Sequence, residues 1–160
     1  MKVILPGSYD PVTQGHLEII RRAADEYDEV FAVAFVNPNK KYLFSLEEKV
    51  EMLKLATGDL SNVKVDFSEG FVVDYMREHG CELIVKGYRT DADLPWEAEQ
   101  AKWNEERGFK TRLIKCKEGL EDISSTAVRE AIAKGERKVL ERMLPKSVYE
   151  YIINKSATLF

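Results

Sequence analysis

The sequence predicts an α/β domain with a Rossmann-like open sheet of five parallel strands and helices on both faces. The first observation is that five short segments of apolar or β-forming residues recur along the chain, separated by segments whose apolar residues have helical spacing. Strands joined by helices favour a parallel sheet with right-handed crossovers. The second observation is that the polar motifs follow strands. This places them at the carboxyl edge of such a sheet, where open α/β folds bind ligands.

The pattern within each strand indicates how that strand is covered. Segments 29–36 and 83–85 are continuous apolar runs, which are typical of strands buried on both faces of a sheet. Segment 62–67 alternates apolar and polar residues, so it is expected to be more exposed. The remaining strands are expected at 2–6, where a proline ends the run, and at 110–115.

Helix signals separate these strands. The spacing of Ser45 and Glu48 is that of a capping box, and Leu46, Val50 and Leu53 are expected to form the buried stripe of the helix that follows. The other helices are expected at 17–27, 71–78 and 94–107, and then after residues 123–126, through Val128 and Ile132 to Gly135. A last helix is expected from about 145, with a frayed tail from about 154.

Composition favours one soluble domain over residues 1–160. Hydrophobic residues make up 44% of the chain and the net charge is −4, so bulk electrostatics would not attract nucleic acid, and local cations must hold any anionic substrate. The two cysteines lack metal-ligand spacing, which favours free intracellular thiols. Because the sequence has no apolar leader and no apolar run of about 18 residues, we expect a cytoplasmic protein without a membrane partner.

The candidate site is organised around residues 6–16, which read PGSYDPVTQGH and lie where the first strand gives way to a helix. The N–H groups and positive dipole end of a helix start suit a phosphate, and Gly7 and Gly15 permit close approach because they lack a Cβ. The segment contains no G-x-G-x-x-G, so it is not a dinucleotide fingerprint. Residues 13–16, TQGH, resemble instead the T/H-x-G-H signature of the nucleotidyltransferase superfamily, and this resemblance makes His16 the candidate catalytic residue.

Three further blocks extend the resemblance, so that nearly the whole chain is similar to the bacterial phosphopantetheine adenylyltransferase family. These blocks are Asn37-Pro38-x-Lys40-Lys41 with Phe44-x-Leu46-Glu47-Glu48, then Lys86-Gly87-Tyr88-Arg89 with Asp93 and Glu97, and finally Ile123-Ser124-Ser125-Thr126. The resemblance implies a fold of nucleotidyltransferase type. It also implies transfer of the adenylyl group of ATP to 4′-phosphopantetheine, which gives dephospho-coenzyme A and pyrophosphate in the penultimate step of coenzyme A synthesis. The same resemblance implies that magnesium binds together with ATP, that the protein forms a homohexamer, and that coenzyme A is a candidate feedback ligand. It does not identify any residue of the protein as a magnesium ligand.

The resemblance also assigns roles to single residues. His16 would stabilise the transition state of the reaction, and Ser8, where threonine is commoner, would meet both substrates. The ATP site that it implies comprises Ser8, Tyr9, His16, Gly87, Tyr88, Arg89, Glu97, Leu120, Glu121, Asp122, Ile123, Ser124, Ser125 and Thr126. The phosphopantetheine site that it implies comprises Ser8, Lys40, Phe71, Val72, Lys86 and Asn104. The family usually has arginine where Lys86 stands, and an ammonium lacks the two-pronged grip of a guanidinium on phosphate.

Two other functions are compatible with parts of this pattern. One is a different nucleotidyltransferase of the same fold that transfers a cytidylyl or adenylyl group to another phosphate. Cytidylyltransferases would be expected to carry R-T-E-G-I-S-T-T where residues 119–126 read GLEDISST, which favours the adenylyl reading. The other is a sensor of nucleotide or coenzyme A without catalysis, which would keep the cleft but would not need His16.

Overall fold

Strands and helices alternate as far as the fifth strand and three helices follow it, in residues 1–155, the part of the chain that this computed structural model describes. The strands are β1 (Lys2–Gly7), β2 (Glu29–Phe35), β3 (Val63–Ser68), β4 (Leu83–Tyr88) and β5 (Lys110–Lys115). The helices are α1 (Gln14–Glu26), α2 (Leu46–Thr57), α3 (Val72–His79), α4 (Leu94–Glu106), α5 (Ser125–Lys134), α6 (Arg137–Met143) and α7 (Lys146–Lys155). None of these helices is both long and apolar enough to cross a membrane. The predicted frayed tail begins within α7, and residues 156–160 lie outside the described residues.

All five strands pair in parallel in the order β3-β2-β1-β4-β5, which confirms the predicted fold class. β1 is central, and its Ile4 lies opposite Phe31 of β2 on one side and Ile84 of β4 on the other. The chain builds outward from β1 through β2 to β3, and then crosses back to place β4 on the free side of β1. Such a reversal of strand order opens a crevice at the carboxyl ends of the two strands, where α/β sheets bind ligands.

The central strands divide the core into two layers. Val3 and Leu5 of β1 pack in the larger core, to which α1, α2, α5, α6 and α7 contribute. Ile4 points to the opposite face and packs with Tyr75 and Met76 of α3. Because successive side chains of a strand point to opposite faces, a strand covered on both faces must be apolar throughout. The continuous apolar runs in the sequence therefore correspond to the strands at the centre of this sheet.

Three local features differ from what the sequence pattern predicts. β4 extends to Tyr88, so Lys86 and Gly87 belong to the strand rather than to the turn after it. Helix α6 was not predicted, because a seven-residue helix is too short to show a repeated apolar period. In α2 the capping box is present as predicted, but Lys49 is buried, whereas Val50 is only half-buried.

Candidate active site

A cleft of about 590 Å³ opens at the carboxyl ends of β1 and β4. Residues 5–9 form one wall and residues 85–89 form the neighbouring wall. Gly15 and His16 enter from the start of α1, and residues 123–125 enter from the turn before α5. Three of the four motif-bearing turns that the sequence places at the carboxyl edge therefore line one cleft.

Two helices begin at this cleft. Thr13 caps α1 and Ser124 caps α5, and both caps lie in the cleft wall. A Cβ at Gly15 would lie only 3.7 Å from the carbonyl oxygen of Ile123, so the two helix starts are adjacent. Because a helix start offers unpaired N–H groups and the positive end of the helix dipole, the corner between α1 and α5 suits phosphate groups.

The imidazole of His16 is fixed by the helix that carries it. Its Nδ1 accepts the backbone N–H of Thr13 at 3.0 Å, and the Thr13 hydroxyl accepts the backbone N–H of His16 at 3.3 Å, which together form a capping box. An Nδ1 that accepts this bond carries no proton, so the neutral ring keeps its proton on Nε2. Burial is the main factor that lowers the pKa of His16 to about 4, and the nearby charge of Arg89 contributes to this decrease. At neutral pH His16 is therefore a neutral donor through Nε2.

Tyr9 forms the support beneath His16. Its ring meets the imidazole edge-on, with 4.9 Å between ring centroids, and its hydroxyl donates to the carbonyl oxygen of Leu5 at 2.8 Å. Burial raises the pKa of the Tyr9 hydroxyl, which stays protonated. The backbone of Tyr9 has a φ of 47°, a left-handed value that is uncommon outside glycine. The Tyr9 hydroxyl is therefore occupied within the fold.

A glycine allows α1 to pack directly on β4. A Cβ at Gly87 would lie 2.7 Å from Cγ1 of Ile19 in α1, which is closer than two carbon atoms can pack. This close approach brings the start of α1, with its imidazole, next to the end of β4, with Lys86 and Arg89. The glycine in the K-G-Y-R block therefore has a packing reason that is independent of any ligand.

The two cations at the end of β4 are each paired with a carboxylate of the segment that follows. Nζ of Lys86 lies 3.0 Å from Oε2 of Glu97, although the angles are not those of a hydrogen bond. Nε of Arg89 lies 3.8 Å from Oδ2 of Asp93, which also accepts the backbone N–H of Arg89 at 3.3 Å. These pairs orient the two cations along one side of the cleft. An incoming phosphate must compete with the carboxylates for them.

The side chains of the turn before α5 are mostly occupied by local contacts. Ser124 Oγ accepts the N–H of Ala127 at 3.0 Å, and Ser125 Oγ donates to the carbonyl oxygen of Pro11 at 2.8 Å. Asp122 pairs with Arg142, and Glu121 accepts the N–H of Gly119 at 2.9 Å. Thr126 Oγ1 accepts from Arg129 at 3.1 Å. Ser125 uses its hydroxyl proton, whereas the hydroxyl of Ser124 accepts and keeps its proton. This turn can therefore offer a phosphate the Ser124 hydroxyl and the backbone N–H groups at the start of α5.

The structure gathers most of the site residues named from the sequence and leaves others apart. Those that line the cleft are Ser8, Tyr9, His16, Lys86, Gly87, Tyr88, Arg89, Glu97, Leu120, Ile123, Ser124 and Ser125. Those that do not are Lys40, Phe71, Val72, Asn104, Glu121, Asp122 and Thr126. Phe71 is two-thirds exposed and its ring lies 6.3 Å from that of Trp103, so the start of α3 and the second half of α4 are neighbours. Lys40 is exposed on the loop between β2 and α2.

Asp10 connects the Lys40 loop to the cleft, a role that sequence reasoning missed. Its buried carboxylate accepts the backbone N–H groups of Leu43 and Phe44 at 2.9 and 3.0 Å. Arg129 of α5 donates to the Asp10 carbonyl oxygen at 2.9 Å. The turn after β1 is thus bonded to both the β2–α2 loop and α5. The only sequence signal for this was the acidic residue within the G-S-Y-D-P block.

The capping box at the start of α1 was also missed. The usual signature has glutamate or glutamine at its third helical position, and here His16 occupies that position. The capping-box spacing was therefore present in the sequence, but with a histidine at the position where glutamate or glutamine is usual. As a result, the same side chain both caps the helix and presents a donor to the cleft.

Comparison with known proteins places the chain in a family. A family model described as cytidylyltransferase-like matches residues 4–131. The chain is 38% identical over 154 residues to the phosphopantetheine adenylyltransferase of Clostridium novyi (strain NT), covering 95% of this chain and 94% of that protein. It is 41% identical over 132 residues to the phosphopantetheine adenylyltransferase of Symbiobacterium thermophilum (strain DSM 24528 / JCM 14929 / IAM 14863 / T), covering 81% and 82%.

Solved structures show the same fold at a greater distance. A crystal structure of the lipopolysaccharide core biosynthesis protein from Thermoplasma volcanium GSS1 superposes with a TM-score of 0.52, over 73% of this chain and 96% of that one. The sequence identity is 18%, so this likeness concerns the fold alone.

Proposed function

The chain belongs to the phosphopantetheine adenylyltransferase family, and on that premise we propose that it transfers the adenylyl group of ATP to 4′-phosphopantetheine. The products are dephospho-coenzyme A and pyrophosphate, in the penultimate step of coenzyme A biosynthesis. The observation that carries the proposal is the single cleft in which the Nε2–H donor of His16, the guanidinium of Arg89 and two helix starts meet.

The reaction needs positioning and charge stabilisation more than covalent help from the protein. A phosphate oxygen of phosphopantetheine attacks the α-phosphorus of ATP in line, the bond to the β-phosphate oxygen breaks, and pyrophosphate leaves. Both reactants are anions that repel each other, so fixed donors and cations supply most of the rate. We expect the helix starts and Arg89 to hold the ATP phosphates. His16 would donate through Nε2 to the α-phosphate, where negative charge grows in the transition state.

The phosphopantetheine side of the site rests on residues from several elements. Lys86 lies in the cleft wall beside the ATP donors, and its pairing with Glu97 keeps its ammonium on that side. Lys40 would approach the cleft on the β2–α2 loop, whose residues Leu43 and Phe44 are bonded to Asp10 of the G-S-Y-D-P turn. Phe71, with Val72 and Asn104 nearby, would contact the pantetheine arm. The proximity of the Phe71 and Trp103 rings supports this grouping.

Magnesium would arrive with ATP as part of the substrate complex. The two carboxylates that line the cleft, Asp93 and Glu97, already face Arg89 and Lys86 as ion-pair partners. The other polar groups of the lining are mainly N–H and hydroxyl groups, which suit phosphate better than a metal ion. This donor set fits an ion that is carried by the triphosphate and water, as magnesium often is. When bound, magnesium would screen the phosphate charge and so ease the approach of the second anion.

Assembly, location and regulation complete the proposal. A homohexamer is what the family resemblance implies, and α4 leaves room for a neighbouring subunit: it buries no residue within the described chain and its Trp103 is 40% exposed, whereas the exposed Trp96 lines the cleft. Exposed aromatic residues on one helix are typical of a surface that packs against another subunit. Light scattering should give a mass six times that of the 18.4 kDa chain. We propose further that the enzyme works in the cytoplasm and that coenzyme A, which combines groups of both substrates, competes with them.

The deciding experiment measures pyrophosphate release from ATP with and without phosphopantetheine. We expect release that depends on phosphopantetheine and on magnesium, and dephospho-coenzyme A as the second product by mass spectrometry. Preference for CTP over ATP would favour a cytidylyl reaction instead, although the named relatives support adenylyl transfer. Tight binding of ATP with no release under any condition would favour the sensor.

A further inference from the structure

Lys49 is an ammonium buried in the core without the partners that such a group requires. Its side chain is 1% exposed on the inner face of α2, and Nζ has no hydrogen-bond partner among residues 1–155. Nζ lies 3.7 Å from the centroid of the Tyr42 ring. A buried cation over an aromatic face gains some attraction, but it does not recover what the ammonium loses by leaving water. A residue of similar size without charge, such as methionine, would suit the fold better.

Tyr42 connects this buried charge to the loop that carries Lys40. The Tyr42 hydroxyl accepts the backbone N–H of Asn37 at 3.0 Å, at the point where the loop leaves β2. The carbonyl oxygen of Asn37 in turn accepts the backbone N–H of Lys40 at 3.0 Å. Nζ of Lys40 lies 5.7 Å from the centroid of the same Tyr42 ring. One tyrosine thus contacts the buried lysine by its face and the lysine loop by its hydroxyl.

We propose that Lys49 is a positioning residue: through the ring of Tyr42 it fixes the loop that holds Lys40 for the phosphate of phosphopantetheine. This inference rests on the proposed function, in particular on the role of Lys40. The loop itself is exposed from 37 to 41, so packing alone does little to hold it. A cation fixed under the Tyr42 ring restrains that ring, and the ring restrains the loop at Asn37.

The surrounding charges fit this role. Asp10 attracts Lys49 at longer range, and Lys40 repels it, while burial is the main factor that lowers the pKa of Lys49. The carboxylate of Asp10 accepts the N–H groups of Leu43 and Phe44 at 2.9 and 3.0 Å, and Nζ of Lys49 makes no hydrogen bond to it.

The test uses the full-length enzyme and measures the Kd of phosphopantetheine by calorimetry, together with KM for both substrates and Tm. For Lys49→Met we expect about a five- to tenfold rise in the Kd and KM of phosphopantetheine, with KM for ATP and kcat within about twofold of wild type and Tm unchanged or higher. Lys49→Arg should restore most of the affinity. Lys54→Met, an exposed lysine of the same helix, is the control and should change nothing.

Two further variants separate this inference from the proposed function. Lys40→Ala should raise the KM of phosphopantetheine by itself, and adding Lys49→Met to it should have little further effect. If Lys40→Ala weakens binding but a folded Lys49→Met does not, the positioning role is wrong while the proposed function stands. If Lys40→Ala has no effect, both the Lys40 assignment and the positioning role fail.

If Lys49→Met does not fold, the Tyr42→Phe variant decides the question, since it keeps the ring but loses the hydrogen bond to Asn37. A raised Kd for that variant supports the role and an unchanged Kd overturns it.

Discussion

Replacing His16 with alanine tests the catalytic assignment most directly. In the structure the imidazole accepts the Thr13 N–H through Nδ1 and rests edge-on against Tyr9, which leaves the Nε2 proton for the substrate. Loss of one such preorganised donor typically lowers kcat by ~10²–10³, or about 2.7–4 kcal/mol of transition-state stabilisation. Because the bond strengthens as charge builds on the α-phosphate, the Kd for ATP should change little.

The same substitution removes half of the capping box of α1, so stability must be separated from catalysis. Loss of a cap contact costs about 0.5–2 kcal/mol, and in a domain of this size each kcal/mol shifts Tm by about 2–4 °C. Glutamine is a normal residue at this position of a capping box, so His16→Gln can keep the contact with the Thr13 N–H. We expect alanine to lower Tm and glutamine to preserve most of it, with kcat reduced by at least about tenfold in both variants.

Pyrophosphate release at saturating ATP and phosphopantetheine gives kcat, and calorimetry gives the Kd for ATP, both measured well below the lower Tm. Substitution of His79, the other histidine of the chain, is the matched control, because His79 does not line the cleft. It should leave kcat unchanged. A folded His16→Ala variant with wild-type kcat would refute the reasoning, and so would a variant whose loss of kcat is matched by an equal loss of ATP affinity.

Burial lowers the pKa of His16 to about 4, so its NMR signals should titrate well below 6.5 in the free enzyme, and a midpoint above 6 would contradict the assigned environment. The pKa of His16 is lower in the folded protein than its ordinary value of 6.5, so the stability that depends on neutral His16 is complete above pH 6.5 and declines as the pH falls toward 4. The Tm of His16→Gln should therefore fall less over that pH range than the Tm of the wild type. For Lys86→Arg we expect equal or tighter phosphopantetheine binding in calorimetry, because a guanidinium can hold two phosphate oxygens and still face Glu97. Marked weakening would show that Lys86 has another role. For Gly87→Ala, the 2.7 Å clash with Ile19 should cost about 1–3 kcal/mol of stability in thermal unfolding, and an unchanged Tm would show that Ile19 yields freely.

The fold class could be predicted because its signals are local. The apolar run of β2 requires cover on both faces, and the Ser45/Glu48 box starts a helix wherever that segment is placed. Strand order left no such signal. The reversal between β1 and β4, which opens the cleft, depends on which strands pair across the whole chain. Helix α6 escaped prediction for a related reason, since its buried Leu140 and Met143 are too few to show a period.

The candidate site was predictable by residue type but not by contact. The T-Q-G-H and K-G-Y-R blocks named His16 and Arg89, and the structure brings both into one cleft. Their electrostatic state came from the fold, because burial together with the nearby Arg89 charge makes His16 a neutral donor. The N-P-x-K-K block named Lys40 from the sequence. The link between its loop and the turn after β1 is formed by Asp10 with Leu43 and Phe44, which lie more than thirty positions away in the sequence.

By itself, the sequence determined the layered α/β architecture, the family and the residue types available for holding phosphates, because these depend on periodicity and on short motifs. Only the tertiary structure decided which of those residues meet and which ring nitrogen of His16 carries the proton. It also decided that Lys49, rather than Val50, is the residue of α2 that is buried in the protein core. The physical reason is that burial and charge act through space. A lysine one position away from an apolar stripe looks solvent-exposed in the sequence until a tyrosine ring from the preceding loop covers it.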